Sequence, residues 1–355
     1  MKKSQLDSKF KNPLIVVTTR LEFIKKELTG LIKNVEAYAI ERQKNDDKHP
    51  CIISADEWVH AALNSLDPHW KKKIATTNIL GKKVMPDRIP LDIISKLPCT
   101  IGELITLGSW SLTKNIYRFE DEIINKLIET EYNKDLPSFL LNIVDLSVYI
   151  QTDNADLFFN NTKIVGVIFS KNTFDDQDVL FTTIYFDHGM SRTITMKLPE
   201  ENGKSKIEDC MGDFIDSFFA EDARPHDDEI EAFTKLQKKL INLLLWFSQS
   251  EPDFIPLDKE SKTKAGLVTV KREIRLFEAQ AYKPYIAGAK AKIKLREAMS
   301  EYERILKTGN FSGGRIPHPR KAHWNYYWIG KRGMREKWVS HWIPFQIIGG
   351  VPKDK

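Results

Sequence analysis

Residues 163–198 read KIVGVIFSKNTFDDQDVLFTTIYFDHGMSRTITMKL. Three runs in it, Lys163 to Ser170, Val179 to Asp187 and Arg192 to Leu198, are rich in β-branched and aromatic residues and are separated by Asn, Asp and Gly. The first kind of residue fits a pleated, half-buried surface, and the second supplies turn conformations. The stretch therefore predicts an antiparallel meander, with Asp187-His188-Gly189 as one of its turns. Phe139 to Gln151 has the same chemistry and predicts a further strand ahead of it.

On either side the periodicity changes to that of helices. Leu21, Ile24, Leu28, Leu31, Val35 and Tyr38 recur at helical intervals, and Thr19 with Glu22 has capping-box spacing, which predicts a helix over about 20–43. Trp58 to Leu66 and Leu91 to Trp110 read as further helices, the second interrupted by Pro98. Glu120, Asp121 and Glu122 open another helix, where carboxylates favour the positive end of the helix dipole. After the meander, Ile207 to Phe219, Asp227 to Gln249 and Ala289 to Leu306 are helical in pattern, and the segment after Pro256, ahead of the last of these, reads as a linker with room for one strand. Ala322 to Ile329, a turn through Gly330 to Gly333, and Arg335 to Ile343 form a hairpin pattern. The fold class is thus α+β: N-terminal helices, a central antiparallel β meander flanked by helices, and a C-terminal aromatic β-hairpin. The expected division is a mainly helical region over 1–105, a central α+β domain over 106–256, a basic linker and helix over 257–308, and a basic-aromatic hairpin segment over 309–355.

Charge is distributed unevenly along this plan. Residues 262–355 hold 21 Lys and Arg against 7 Asp and Glu, whereas residues 1–261 hold 33 against 42. A basic end with interleaved aromatic residues suits a polyanion such as RNA, and an acidic body suits a protein partner or solubility. Cys51, Cys99 and Cys210 are odd in number and widely spaced, which suggests neither a disulfide framework nor a cysteine zinc site and fits a reducing cytoplasm. The strongest apolar run, Leu240 to Phe247, is too short to span a bilayer, so no membrane partner is expected.

No P-loop, dinucleotide fingerprint, nucleophile elbow, zinc-protease helix or EF-hand loop occurs, and no cofactor is expected. The densest chemistry lies in residues 309–344, with four of the eight tryptophans and three of the eight histidines. Strand alternation puts Trp324, Tyr326 and Trp328 on one hairpin face and His323, Asn325 and Tyr327 on the other, with Trp338 and Trp342 sharing a face and His341 opposite them. Two readings stand for Trp324, Trp328 and Trp342: core packing onto the body, or stacking on bases or a peptide. His318, Arg320, Lys321, His323, Tyr327 and Arg332 are candidate contact residues, with the cations meeting phosphates. His318, His323 and His341 beside Arg320 and Lys321 also admit a ribonuclease reading, in which imidazoles exchange protons and cations stabilise the developing phosphorane. Binding without catalysis is the reading adopted.

The run Pro317-His318-Pro319-Arg320-Lys321-Ala322-His323-Trp324-Asn325-Tyr326-Tyr327-Trp328-Ile329-Gly330, followed by Trp342-Ile343-Pro344, resembles the C-terminal signature of the type V-A (AcrVA2-like) anti-CRISPR family of phage and plasmid proteins. Collinear matches lie at Gly108-Ser109-Trp110, Ile116-Tyr117, Asp121-Glu122-Ile123-Ile124, Asn142 through Asp145 to Val148-Tyr149, and Trp246 with Glu251-Pro252-Asp253. The resemblance implies a cytoplasmic inhibitor that recognises the nascent N-terminal polypeptide of a type V CRISPR effector nuclease and triggers loss of its mRNA. The implied partners are that N-terminal segment and, through the basic tail, mRNA or the ribosome. The alternatives are an RNA-binding accessory protein with another target and an unrecognised ribonuclease.

Overall fold

The computed structural model describes residues 3–45, 53–66, 78–79, 82–83, 97–131, 136, 138–141, 147–174, 177–198, 206–210, 227–249, 251–257, 266–271, 273–308, 318–329, 337–344 and 346–348. Its centre is one mixed sheet with helices on both faces. The meander is its backbone: β6 (Thr162–Phe174), β7 (Gln177–Phe186) and β8 (Ser191–Lys197) run antiparallel in order, and β4 (Ser147–Gln151) pairs antiparallel with the free side of β6. The expected turn is present, with Gly189 at φ +87°. The start of the run Phe139 to Gln151 differs from the expectation: Ser138–Leu141 is a 3-10 turn, and the strand begins at Ser147.

Two parallel strands extend the sheet beyond the meander. β3 (Asn115–Phe119) lies parallel to β4, and β12 (Lys283–Ala287) lies parallel to β3, with β9 (Phe254–Pro256) antiparallel at the far edge. The segment read as a linker therefore contributes a strand to the sheet, and also a separate hairpin of β10 (Gly266–Val270) and β11 (Glu273–Phe277). All five residues of β3 are buried, Arg118 included, and a strand covered on both faces has no alternation to announce it. The sequence also suggests nothing of two dipeptide strands, β1 (Asn78–Ile79) and β2 (Lys82–Lys83), and β5 (Phe158–Phe159), which pairs with β6.

The alternation of β7 divides two cores. Val179, Phe181 and Tyr185 join one cluster with α1 (Lys3–Glu27), α2 (Leu31–Asn45), α3 (Ala55–Leu66) and α4 (Ile101–Thr113). Leu180, Ile184 and Phe186 join the other with α5 (Asp121–Ile128) and α6 (Asp227–Leu245). The helix expected over 20–43 is in fact α1 and α2, broken at Gly30, whose φ of +86° ends the first helix. Thr19 is consequently not a cap; it lies exposed inside α1. The cap that does form is Thr100, which accepts from the Glu103 N–H and starts α4 after Pro98. Of the helix expected over 207–219 only 207–210 are described, and Asn142 through Asp145 fall outside the described residues.

Close approaches fix the layers. A Cβ on Gly108 of α4 would lie 2.6 Å from the Trp58 ring of α3, and one on Gly166 of β6 would lie 2.5 Å from the Tyr149 hydroxyl of β4. Behind the sheet, the Thr106, Thr183 and Thr193 hydroxyls form a chain at 2.7 and 2.8 Å, which satisfies polar groups where α4 meets β7 and β8. The long helix α7 (Ala289–Thr308) follows β12 and is clamped to α5: Lys292 Nζ donates to Glu120 at 2.7 Å, and Arg296 grips Glu122 in a fork.

Candidate interaction surface

The C-terminal hairpin is built as its alternation requires. β14 (His323–Ile329) pairs with β15 (Lys337–Ile343), so that Trp324 faces Trp342, Tyr326 faces Ser340, and Trp328 faces Trp338. An outer ladder of β13 (His318–Arg320) and β16 (Gln346–Ile348) flanks it. Arg332 and the turn through Gly330 to Gly333 lie outside the described residues, as do the side chains of His318, Trp328 and Trp338.

One face of the hairpin is seated on the body. Trp324 and Trp342 are each 6% exposed and belong to the core that contains α5 and α6. Their indole N–H groups are both satisfied. Trp324 Nε1 donates to Asn242 Oδ1 at 2.9 Å, and Trp342 Nε1 donates to Thr130 Oγ1 at 3.1 Å. Asn242 Nδ2 donates in turn to the Thr130 carbonyl at 2.7 Å, so one short network ties α6, the end of α5 and both tryptophans. The Trp342 backbone N–H donates to Gln249 Oε1 at 3.0 Å, and the Trp342 ring packs 5.5 Å from Trp246. For Trp324 and Trp342, core packing is therefore the arrangement found, and their rings are not on the surface. Asn242 is not among the residues the sequence points to, although a lone amide within Leu240 to Phe247 is the kind of signal that marks a buried partner.

The opposite face points outward. Arg320, Lys321, Asn325 and Tyr327 are exposed, and His323 and His341 are half-buried. The Tyr327 and His341 rings lie 5.9 Å apart across the strands, and His323 Nδ1 is 3.1 Å from the Lys321 carbonyl. Of the predicted contact residues, Arg320, Lys321 and Tyr327 are thus exposed, and His323 is half-buried beside the Lys321 carbonyl. Among the described residues no cluster of three His, Cys, Asp or Glu could hold a metal ion, and no helix is long and apolar enough to cross a membrane.

The upstream residues that carry the family resemblance lie mostly inside. Trp110 donates to the Asn115 carbonyl at 2.8 Å and packs 5.4 Å from Tyr149. Tyr117 stacks on Tyr285 at 4.9 Å, and Asp253 accepts from the Lys290 and Ala291 N–H groups at 2.6 and 3.2 Å, capping α7.

The family model described as "AcrVA2-like: Anti-CRISPR type V subtype A2 family" matches residues 117–350. A solved structure described as the crystal structure of AcrVA2 is similar with a TM-score of 0.57 and 17% identity, covering 93% of this chain and 98% of that one. At this identity the likeness is one of fold. No curated protein sequence matches the chain.

Proposed function

The chain belongs to the anti-CRISPR type V subtype A2 family, and from that premise we propose that it silences a type V CRISPR effector nuclease at the level of synthesis. In this reading it recognises the nuclease's N-terminal polypeptide as it is translated, in the cytoplasm of the bacterial host, and triggers loss of the encoding mRNA. It acts by binding, without a cofactor. The observation that carries the reading is the two-sided hairpin. Trp324 and Trp342 anchor it, and Arg320, Lys321, His323 and Tyr327 face outward from the basic C-terminal quarter of the chain. Exposed cations and an exposed aromatic ring on one segment suit RNA of the message or ribosome, whose phosphates and base faces they can meet.

The test is co-expression with a type V effector nuclease, following nuclease protein and mRNA against the same transcript with a stop codon near its start. Selective loss of the translated message is expected. Loss of both transcripts would point instead to an RNA-binding accessory protein, and no loss of either would overturn the reading for that nuclease.

A further inference from the structure

On the outward face of the C-terminal hairpin, Asn325 of β14 stands directly opposite His341 of β15. Tyr327, two residues further along β14, reaches diagonally to the same histidine, with ring centroids 5.9 Å apart and planes 35° from parallel. Residues opposite one another on one face hold their Cβ atoms about 5 Å apart, so Asn325 lies beside the ring pair. Asn325 is exposed, Tyr327 is 43% exposed and His341 is half-buried. Among the described residues Tyr327 is one of three exposed large aromatic side chains, with Phe23 and Phe158. The Arg20 guanidinium covers the Phe23 ring at 5.5 Å, and Phe158 belongs to the acidic part of the chain. Tyr327 alone of the three lies in a strongly basic segment: residues 309–350 hold seven Lys and Arg against one Asp or Glu. The hold of the hairpin on the body is on its other side, through Trp324 and Trp342.

We infer that Tyr327, His341 and Asn325 form a site for one unpaired nucleobase of single-stranded RNA. The base lays its face on the Tyr327 ring and the adjoining His341 ring, and its edge exchanges hydrogen bonds with the Asn325 amide, which carries both a donor and an acceptor. A duplex offers no such face, since its bases are stacked in the helix with their pairing edges occupied. Arg320 and Lys321, earlier in the same segment, meet phosphates. An acidic peptide would answer the charge but has no flat face for the rings. This inference rests on the RNA contact of the tail proposed above and deepens it, by specifying the form of the RNA and the residues that meet a base.

The probe is the full chain titrated with labelled single-stranded homopolymers of A, C and U, and with an RNA duplex of the same length, at one salt concentration. Single strands are expected to bind at least about fivefold more tightly than the duplex. Tyr327→Ala is expected to weaken single strands about fivefold to a hundredfold, and Tyr327→Phe, which keeps a stacking face, to restore the affinity to within about twofold, while neither changes duplex binding. His341→Ala acts in the same direction as Tyr327→Ala, and Asn325→Ala narrows the spread of affinities among the three homopolymers. Tyr327 and Asn325 are exposed, so the urea midpoints of their variants hold, and these variants decide the matter if His341→Ala fails to fold. Equal affinity for single strands and duplex, insensitive to Tyr327→Ala but lost with Arg320→Ala and Lys321→Ala, would overturn the base site and leave phosphate contact by the tail standing. Polyglutamate bound as tightly as RNA, with the same loss in Tyr327→Ala, would overturn it in favour of a surface for acidic peptides. Binding of no RNA at all would overturn both the base site and RNA contact by the tail, whereas nascent-chain recognition is judged separately by loss of the translated message.

Discussion

Asn242 accepts the indole proton of Trp324 at 2.9 Å while donating to the Thr130 carbonyl at 2.7 Å. One amide on α6 thereby holds the C-terminal hairpin against the far end of α5. Asn242→Leu strands two buried polar groups, and the full desolvation penalty of each is felt, so a loss of about 1–3 kcal/mol per group is expected. Trp342→Ala empties a larger volume beside Trp246 and is expected to cost about 3–5 kcal/mol. Urea denaturation of both variants checks this; an unchanged midpoint for Trp342→Ala would mean that the hairpin is not docked.

Arg320 and Lys321 are exposed, and removing them should leave stability alone. If they meet phosphates, Arg320→Ala with Lys321→Ala will lower the slope of log affinity for single-stranded RNA against log salt by about 1–2. Tyr327→Ala, which removes a stacking ring, will weaken RNA binding by about 1–3 kcal/mol with little change of slope. Fluorescence anisotropy across a salt series separates the two effects.

Gly108 carries no side chain because the Trp58 ring occupies the space, 2.6 Å from where a Cβ would stand. The contact is between a rigid helix backbone and a fully buried ring, so neither yields cheaply. Gly108→Ala is expected to destabilise by about 1–3 kcal/mol despite its gain in helix propensity, as judged by thermal unfolding.

His60 is 7% exposed beside Tyr38, and burial lowers its pKa below the ordinary 6.5. The folded protein then holds the imidazole neutral while the unfolded chain takes up a proton below about pH 6.5. This contribution to stability is fully present above that pH and is lost as pH falls toward the folded pKa. Wild-type protein should lose more stability between pH 7.5 and pH 5 than His60→Phe, measured as urea midpoints at each pH. Parallel losses in the two proteins would remove His60 as a source of the dependence.

The meander over residues 163–198, the helix starts at Glu120 to Glu122 and at Asp227, and the two faces of the tail hairpin were all legible in the sequence. Each is a local pattern: strand alternation, turn residues and dipole-favourable carboxylates act within a few residues of one another. The parallel pair β3 and β12 was not legible, because Asn115–Phe119 is buried on both sides and its partner Lys283–Ala287 lies far along the chain in a segment that looks like a linker. The break at Gly30 was hidden because apolar spacing continues through it from Leu28 to Leu31.

For the candidate surface the division falls at the same place. The sequence by itself determined that the tail is basic, aromatic and two-faced, since side-chain chemistry and the period of a strand need no partner. Only the tertiary structure decided which face is spent on packing, because that depends on Asn242, Thr130 and Gln249 arriving from α5, α6 and the turn that follows.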